Sequence, residues 1–250
     1  MWAAFFYLYM IKLQIMKTVM ALFLSAFILL SPESVKSQNV VPNSEFMLDK
    51  LRLNKVMHGI KFETYETTTG DPFLYKDFHS GKITMLDGEK YQIEMRYDIY
   101  ADQVQLLNDN HIYVINHPEK LASIVIDTLC LVYCNFANSP GGKNSSEGSY
   151  FILRTVGNCK LLIKKNIRVQ DAELPKLLQE GKPAKFVHLK DTYYLKFDGR
   201  SAVKIDSRKD LIRQLSDKQD EVYPFINENH LSVNNVEDLI RVVSFYNGLQ

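Results

Sequence analysis

The chain has 250 residues, of which 46% are hydrophobic, and it carries 30 basic and 29 acidic residues. This composition is that of a globular protein with a substantial core. The balanced charge gives no overall attraction to nucleic acid, so we expect no nucleic-acid partner.

Residues 1–37 have the pattern of a secretory signal peptide. Lys17 precedes an apolar run at residues 18–30, and compact residues at 35–37 suit a cleavage site. Met16 is an alternative start, in which case residues 1–15 are an artefact of start assignment. The run is short for a membrane span. The alternative is an uncleaved N-terminal anchor, which is the sole membrane contact we expect. Both place the protein outside the cytoplasm, in the periplasm, associated with the outer envelope, or secreted.

The strongest structural signal is strict alternation at residues 91–99. Apolar or aromatic residues occupy every odd position and polar residues every even position. Successive side chains of a strand point to opposite faces, so this pattern predicts a strand with one buried face. Tyr97 should point inward and Tyr100 outward. Residues 83–86 should pair with this strand across the turn-forming Asp87-Gly88.

Other strands are predicted before and after this one, separated by loops rich in glycine, proline and asparagine. Residues 49–53 suggest a short entry helix, residues 138–149 a surface loop, and residues 174–178 one helical turn. The predicted strands are 56–65; a hairpin of 104–107 with 112–115 across residues 108–110; 123–128 and 129–136; a hairpin of 150–156 with 160–169; and a meander of 186–189, 193–197 and 202–205.

The last part of the chain has helical rather than strand periodicity. Ser207 can cap a first helix, Asp220 a second at residues 222–227, and Asn235 a third that ends near Gly248. Pro224 fits the second helix only in its first turn. Strands first and helices last predict an α+β fold.

We therefore expect a mainly antiparallel β-sheet, a meander of sandwich-like or barrel-like form, followed by a C-terminal helical segment. The expected divisions are the signal peptide at 1–37, a β-rich domain at 38–206 and a helical segment at 207–250 packed on it. An outer-membrane barrel is a further alternative. The helical, charged tail and the uneven strands argue against it.

Basic residues are concentrated in the middle of the chain. Residues 154–213 hold 15 basic and 7 acidic residues. One interpretation is a surface that attracts an anionic ligand. The alternative is Lys and Arg on the solvent faces of strands, where they also protect sheet edges.

The three cysteines permit one disulfide in an oxidising compartment. Cys130 and Cys134 on one strand would lie about 13 Å apart, too far to bond to each other. Cys159 could pair with either across a sheet, and at least one thiol stays free within a monomer.

No motif for catalysis, metal binding or a cofactor stands out. The six histidines lack metal-ligand spacing, and no Gly-x-Ser-x-Gly element occurs. Asp98 and Asp102 flank a turn, where we expect them to be solvated or to cap the turn. We expect no metal and no cofactor. The candidate ligand surface combines tyrosines, which offer an apolar face and a polar tip, with basic residues: Tyr100, Tyr113, Tyr193, Tyr194, Lys164, Lys165 and Arg168.

Several fragments together resemble a group of uncharacterised exported proteins from Gram-negative bacteria. The likeness implies export, and the group has no assigned activity, so it assigns no functional residue here. The fragments are Asp71-Pro72-Phe73-Leu74 with Phe78; residues 95–100; residues 191–195; and residues 235–240 with Tyr246-Asn247.

These observations predict an exported protein of the cell envelope without enzymatic activity, acting in binding or structural interaction. The expected partner is an envelope protein or a glycan. The alternative is an exported hydrolase whose active site is assembled from distant residues without a recognisable motif.

Overall fold

The computed structural model describes residues 54–55, 65, 67–137, 148–175 and 180–249. The expected signal peptide and the entry helix at 49–53 lie outside these residues. So do most of the strand expected at 56–65, of the loop at 138–149 and of the helical turn at 174–178. None of the described helices is both long enough and apolar enough to cross a membrane.

The described residues form two sheets. Twelve strands make the larger sheet, in the order β1-β5-β4-β3-β2-β6-β7-β9-β10-β13-β14-β8, and β11 and β12 form the smaller one. All neighbours are antiparallel except β14 and β8. The strands are β1 (Asn54–Lys55), β2 (His79–Met85), β3 (Lys90–Asp98), β4 (Gln103–Asn108), β5 (His111–Val114), β6 (Leu121–Ile126), β7 (Leu129–Cys134), β8 (Phe136–Ala137), β9 (Ser149–Leu153), β10 (Cys159–Lys164), β11 (Ile167–Gln170), β12 (Lys185–His188), β13 (Thr192–Phe197) and β14 (Ala202–Ile205).

The fold is therefore mainly an antiparallel sheet followed by helices, as the sequence predicts. The larger sheet is open, with β1 and β8 at the two ends of its strand order. The buried face predicted at 91–99 is confirmed, because Tyr91, Met95 and Tyr97 are at most 2% exposed. The polar positions are exposed at Gln92 and Glu94, but the expectation is wrong for Asp98, which is fully buried. Tyr100 is 43% exposed, as predicted.

The neighbouring strand approaches β3 closely at Gly81. A Cβ atom at this position would lie 2.5 Å from the Sδ atom of Met95, so a larger residue would collide with the buried side chain. Glycine is therefore needed here for packing. It lets β2 pair with β3 beside the buried cluster that contains Ile83, Met95 and Tyr97, which we call the main core.

The hairpin turns follow from residues that tolerate left-handed backbone. Asp109 and Asn110 have φ of 47° and 59°, and they alone join β4 to β5. Two left-handed residues match the twist of antiparallel strands, which explains a loop one residue shorter than expected. Gly88, with φ of 90°, serves the turn between β2 and β3.

The expected hairpin at 150–156 and 160–169 and the meander at 186–205 are wrong in one respect. Residues 160–169 form two strands, β10 and β11, instead of one. The meander would pair β12 with β13, but β12 pairs with β11 in the smaller sheet. Asn166 explains the break. Its side-chain amide donates hydrogen bonds to the carbonyls of Lys164 and Lys190 and to the hydroxyl of Thr192, at 3.2, 2.9 and 2.6 Å. These bonds fix a bend that turns the chain out of the larger sheet.

The part of the larger sheet from β7 to β14 curls back toward its own beginning. Asn135 alone separates β7, which pairs with β9, from β8, which pairs with β14 at the other end of this part. The carbonyl of Asn135 also accepts a hydrogen bond of 2.9 Å from the backbone N–H of Ala202. We call β7, β8, β9, β10, β13 and β14 the curled half of the sheet.

Three helices follow the last strand: α1 (Arg208–Gln214), α2 (Gln219–Glu228) and α3 (Val236–Gly248). The predicted caps at Ser207 and Asn235 are confirmed, since their side chains accept hydrogen bonds from the N–H groups of Asp210 and Glu237. The predicted cap at Asp220 is wrong, because α2 begins at Gln219 and Asp220 lies in its first turn. There its negative charge faces the positive end of the helix dipole.

Pro224 is the second correction in the helical segment. It lies inside α2, past the first turn, where it cannot donate the usual bond to the carbonyl four residues earlier. Packing offsets this loss. Val222 and Ile226, spaced one helical turn apart, are at most 1% exposed in the core that the helices form with β10, β13 and β14.

Asn247 fastens α3 to the turn between β9 and β10. Its side-chain oxygen accepts a 2.9 Å hydrogen bond from the N–H of Cys159. Its amide donates to the carbonyls of Cys159 and Val156, at 2.8 and 3.1 Å. The amide also packs closely against Gly157, whose φ of 124° disfavours a side chain. The helical segment is thereby fixed to the curled half.

We predict that Met95→Asp strongly destabilises the protein and that Glu94→Lys does not. Met95 is fully buried, so an aspartate there would place an unpaired charge in the main core, at a cost of at least about 3 kcal/mol. Glu94 is exposed, and its replacement should change the free energy of unfolding by no more than about 0.5 kcal/mol. Urea denaturation measures both. Equal destabilisation by the two variants would show that the facing of β3 is wrong.

Candidate functional site

Asp102 forms the centre of a polar cluster that joins two distant parts of the chain. It lies in the turn between β3 and β4 with a left-handed φ of 52°. Its Oδ1 accepts hydrogen bonds from the Tyr97 hydroxyl at 2.6 Å and the Tyr150 N–H at 3.3 Å. Its Oδ2 accepts one from the Ser149 hydroxyl at 2.5 Å and faces the Lys164 ammonium at 3.4 Å. We call Tyr97, Asp102, Ser149 and Lys164 the Asp102 cluster.

The curled half supplies the basic and hydroxyl members of this cluster. Ser149 begins β9 and is 1% exposed. Lys164 ends β10, its side chain is 21% exposed, and its Nζ contacts the Ser149 hydroxyl. The same Nζ lies 5.5 Å from the ring centroid of Phe151 and 5.6 Å from that of Phe136. The ammonium is thus held between polar partners and aromatic rings.

This arrangement limits what Ser149 can do chemically. A hydroxyl has one donor hydrogen and two acceptor lone pairs. Asp102 takes the hydrogen and Lys164 takes one lone pair, so one lone pair is left for attack on an electrophile. The burial of Ser149 restricts approach to it. The structure therefore favours a role in holding Lys164 over a role as a nucleophile.

The sequence predicted that Asp98 and Asp102 are solvated or cap their turn. Turn capping is correct for Asp98, whereas the contacts of Asp102 extend beyond its turn. Asp98 caps its turn, as its Oδ1 accepts a 2.9 Å hydrogen bond from the N–H of Ala101. Asp102 instead reaches across to β9 and β10. No local pattern signals this contact, because Ser149 and Lys164 lie 47 and 62 residues further along the chain.

Four lysines share a face of the curled half with a small apolar core. Directly paired residues of neighbouring strands point to the same face. Leu162 pairs with Tyr194 and Lys160 with Lys196, while Tyr194 also pairs with Lys204. We call this surface the inner face. Its apolar members are Val132, Cys134, Phe136, Phe151, Leu153, Leu162, Tyr194 and Ala202, and its lysines are Lys160, Lys164, Lys196 and Lys204.

In the part of the chain that the structure describes, fewer carboxylates than lysines contact this face. Lys160 contacts Asp198, Lys164 pairs with Asp102, and Lys204 pairs with Asp206 at 2.9 Å. Lys196 donates instead to the carbonyls of Phe197 and Arg200, at 3.2 and 2.6 Å. The hydrogen bond and charge of Lys160, with a further contribution from Lys196, lower the pKa of Asp198. Asp198 therefore faces two cations, and the described residues of the inner face carry one more positive than negative charge.

The cysteines of the curled half are not poised for reaction. Burial raises the pKa of Cys134 to about 11, although Lys196 and Lys164 oppose that shift. Burial also raises the pKa of Cys159 to about 12. The thiol rather than the reactive thiolate is therefore the stable form of both at neutral pH. The three cysteines are free.

The residues of the predicted ligand surface do not share one face. Lys164 and Tyr194 belong to the inner face. Tyr193 lies on the opposite face, where it packs against the main core and against the core that the helices form with the sheet. Tyr113 packs against the main core from β5. Tyr100 lies with its ring centroid 5.2 Å from that of Phe186, Lys165 pairs with Asp191 at 2.8 Å, and Arg168 is exposed on β11. Lysines 160, 196 and 204 were missed by the sequence prediction.

A second polar network surrounds Asp98, which is fully buried. Its Oδ2 accepts hydrogen bonds from the Tyr65 hydroxyl at 2.6 Å and from the Gln105 amide at 3.4 Å. Gln105 in turn accepts a 2.9 Å bond from Arg96, whose guanidinium lies 3.6 Å from the ring centroid of Phe73. Burial raises the pKa of Asp98, although the N–H of Ala101, the Tyr65 hydroxyl and the Arg96 charge oppose the shift.

The described residues contain no group of three or more His, Cys, Asp or Glu side chains that could hold a metal ion. His79 lies 2.9 Å from a carboxylate oxygen of Asp127, and both side chains are partly exposed. No family model, curated protein or solved structure matches the chain.

We predict that Asp98 makes stability depend on pH in a defined direction. Its raised pKa means that the folded protein binds the proton more tightly than the unfolded chain does. Its contribution to stability is then greatest below the ordinary aspartate pKa of about 3.9 and is lost as pH rises through the folded pKa. The Asp98→Asn variant has no ionisable group at this position, so it serves as the reference. Urea denaturation of both proteins from about pH 4 upward should show wild type losing stability relative to the variant as pH rises. A constant or opposite difference would contradict the assignment.

Proposed function

We propose that the protein is an exported, non-enzymatic binding protein whose ligand presents carboxylate or phosphate groups to the inner face. The observation that carries this proposal is the set of partly buried lysines on a face lined with aromatic rings, with fewer carboxylates than cations among the residues that the structure describes. The signal-peptide pattern of residues 1–37 supports export.

Lys164 and Lys196 are the side chains best suited to contact the ligand. Lys164 contacts Ser149, which pairs directly with Cys134. Lys196 contacts the carbonyl of Arg200, two residues before Ala202, whose N–H donates to Asn135 next to Cys134. An ammonium beside apolar side chains is screened less by water than one on an open surface, so it attracts an anion more strongly. Lys196 has only carbonyl groups as hydrogen-bond partners in the described residues. A carboxylate or phosphate would supply the charge that these carbonyls lack.

This chemistry narrows the expected partner. Of the envelope proteins and glycans anticipated from the sequence, the inner face suits those that carry acidic groups. Phe151 and Tyr194 are buried, but the partly exposed ring of Phe136, 5.6 Å from the Lys164 ammonium, could pack against the apolar face of a sugar ring or side chain. An acidic glycan therefore satisfies both features of the face, and we take it as the ligand to test first.

We predict that polygalacturonate, a carboxylated glycan, binds the protein and that uncharged dextran does not. The double variant Lys164→Gln, Lys196→Gln should weaken binding about tenfold or more, since a charged contact contributes roughly 1 kcal/mol or more where screening is low. The control Lys209→Gln, at an exposed site on α1, should bind like wild type. Isothermal titration calorimetry at constant low ionic strength measures the affinities. Equal affinity of the double variant and the control would overturn the proposal.

An exported hydrolase is the second candidate, and the contact of Ser149 with Asp102 and Lys164 favours it. In this reaction the Ser149 oxygen would attack the carbonyl carbon of an ester while its proton passes to the Asp102 carboxylate. The Lys164 ammonium would stabilise the developing negative charge. The alcohol would leave with the proton, and water would then hydrolyse the acyl-serine and regenerate the hydroxyl.

A fluorophosphonate probe separates the two candidates, because it forms a stable adduct with activated serines. Our leading proposal predicts no adduct at Ser149 and no ester hydrolysis that Ser149→Ala abolishes. Intact-mass analysis and peptide mapping detect the adduct. Labelling of Ser149 that Ser149→Ala and Lys164→Met both prevent would favour the hydrolase instead.

A further inference from the structure

We propose that Asp102 is an internal substitute for the ligand: an acidic group of the ligand displaces the Oδ2 atom of Asp102 from Lys164. This inference rests on the proposed binding of an anionic ligand to the inner face. It goes further by assigning one ligand carboxylate to a defined position, against the Lys164 ammonium, and by making Asp102 its competitor.

The contact between Asp102 and Lys164 is loose enough to exchange. The distance from Nζ to Oδ2 is 3.4 Å, whereas ammonium–carboxylate hydrogen bonds usually measure about 2.7–2.9 Å. The two side chains are 21% and 30% exposed, so a ligand in water can reach both. A freely positioned carboxylate could approach the ammonium more closely than Asp102 does, because the turn fixes the position of Asp102.

The two oxygens of Asp102 have separate tasks, which allows exchange without unfolding. Oδ1 accepts hydrogen bonds from the Tyr97 hydroxyl and the Tyr150 N–H, so it holds the turn against the core and β9. Oδ2 contacts Ser149 and Lys164. Because both oxygens are bonded to one carbon, the exchange leaves the Oδ1 contacts intact when the Lys164 ammonium, on its flexible stem, moves from Oδ2 to the ligand carboxylate.

The carboxylate of Asp206, which follows β14 in the curled half, provides a control. Asp206 pairs with Lys204 at 2.9 Å, the normal length of such a contact, and the two residues are neighbours along the same strand end. Asp206→Asn and Asp102→Asn each remove one negative charge near the inner-face lysines. Any difference in their effects then reports on competition for Lys164 rather than on net charge.

The decisive experiment compares polygalacturonate binding to wild type, Asp102→Asn and Asp206→Asn by calorimetry at constant ionic strength. We expect Asp102→Asn to bind roughly twofold to fivefold more tightly than wild type, the range of a partly exposed ion pair. Asp206→Asn should show a clearly smaller gain. Adding Lys164→Gln to Asp102→Asn should remove the gain, because the cation for which Asp102 competes is then absent.

The outcomes distinguish this inference from the proposed function. If the double variant Lys164→Gln, Lys196→Gln loses binding but Asp102→Asn gains none, the function stands and the displacement is wrong. If no protein binds polygalacturonate, both are overturned. Should Asp102→Asn fail to fold, carbon-13 resonances of the aspartate carboxyl groups in the wild type supply the answer. The Asp102 resonance should shift during titration more than that of Asp206, and an unmoved Asp102 resonance would reject the displacement.

Discussion

The Asp102 carboxylate ties the turn between β3 and β4 to the curled half of the sheet, in addition to the direct pairing of β6 with β7. Through Tyr97 it is tied to the buried face of β3, and through Tyr150, Ser149 and Lys164 it is tied to the curled half. A carboxylate with this many partners is stabilised where it lies, and removing it would leave several polar groups without partners near the core. The same contacts orient Lys164, so the structural connection and the candidate binding site are one feature.

The curl of the sheet explains why lysines and aromatic rings come together. Because only Asn135 separates β7 from β8, the chain passes from the partner of β9 to the partner of β14 within a few residues. The face enclosed by this curl is small, and Phe151, Leu162 and Tyr194 fill it. Lysines at neighbouring positions of the same face keep their stems against this apolar filling while their charged ends reach polar partners. A curled sheet thus concentrates charges that a flat one would spread over its surface.

Local features of this fold could be predicted from the sequence, whereas contacts between distant residues could not. The alternation around Met95 and the caps at Ser207 and Asn235 depend on neighbouring residues, and all are confirmed. Pro224 was misplaced because packing of Val222 and Ile226 outweighs its local preference. The partner of β12 was misplaced because the side chain of Asn166, whose role no residue pattern signals, redirects the chain.

In the candidate site, too, local residue patterns could be predicted from the sequence and contacts between distant residues could not. Lys160, Leu162 and Lys164 lie on one face of β10, so a face with two lysines and a leucine fits neither a buried nor a solvated pattern. The sequence indicated an excess of basic residues but not the face that gathers them. A purely structural role would be served by an equal number of acidic and basic groups. Among the described residues Lys196 is the one inner-face lysine without a carboxylate partner of its own, and binding of an acidic ligand is the proposal by which we explain it.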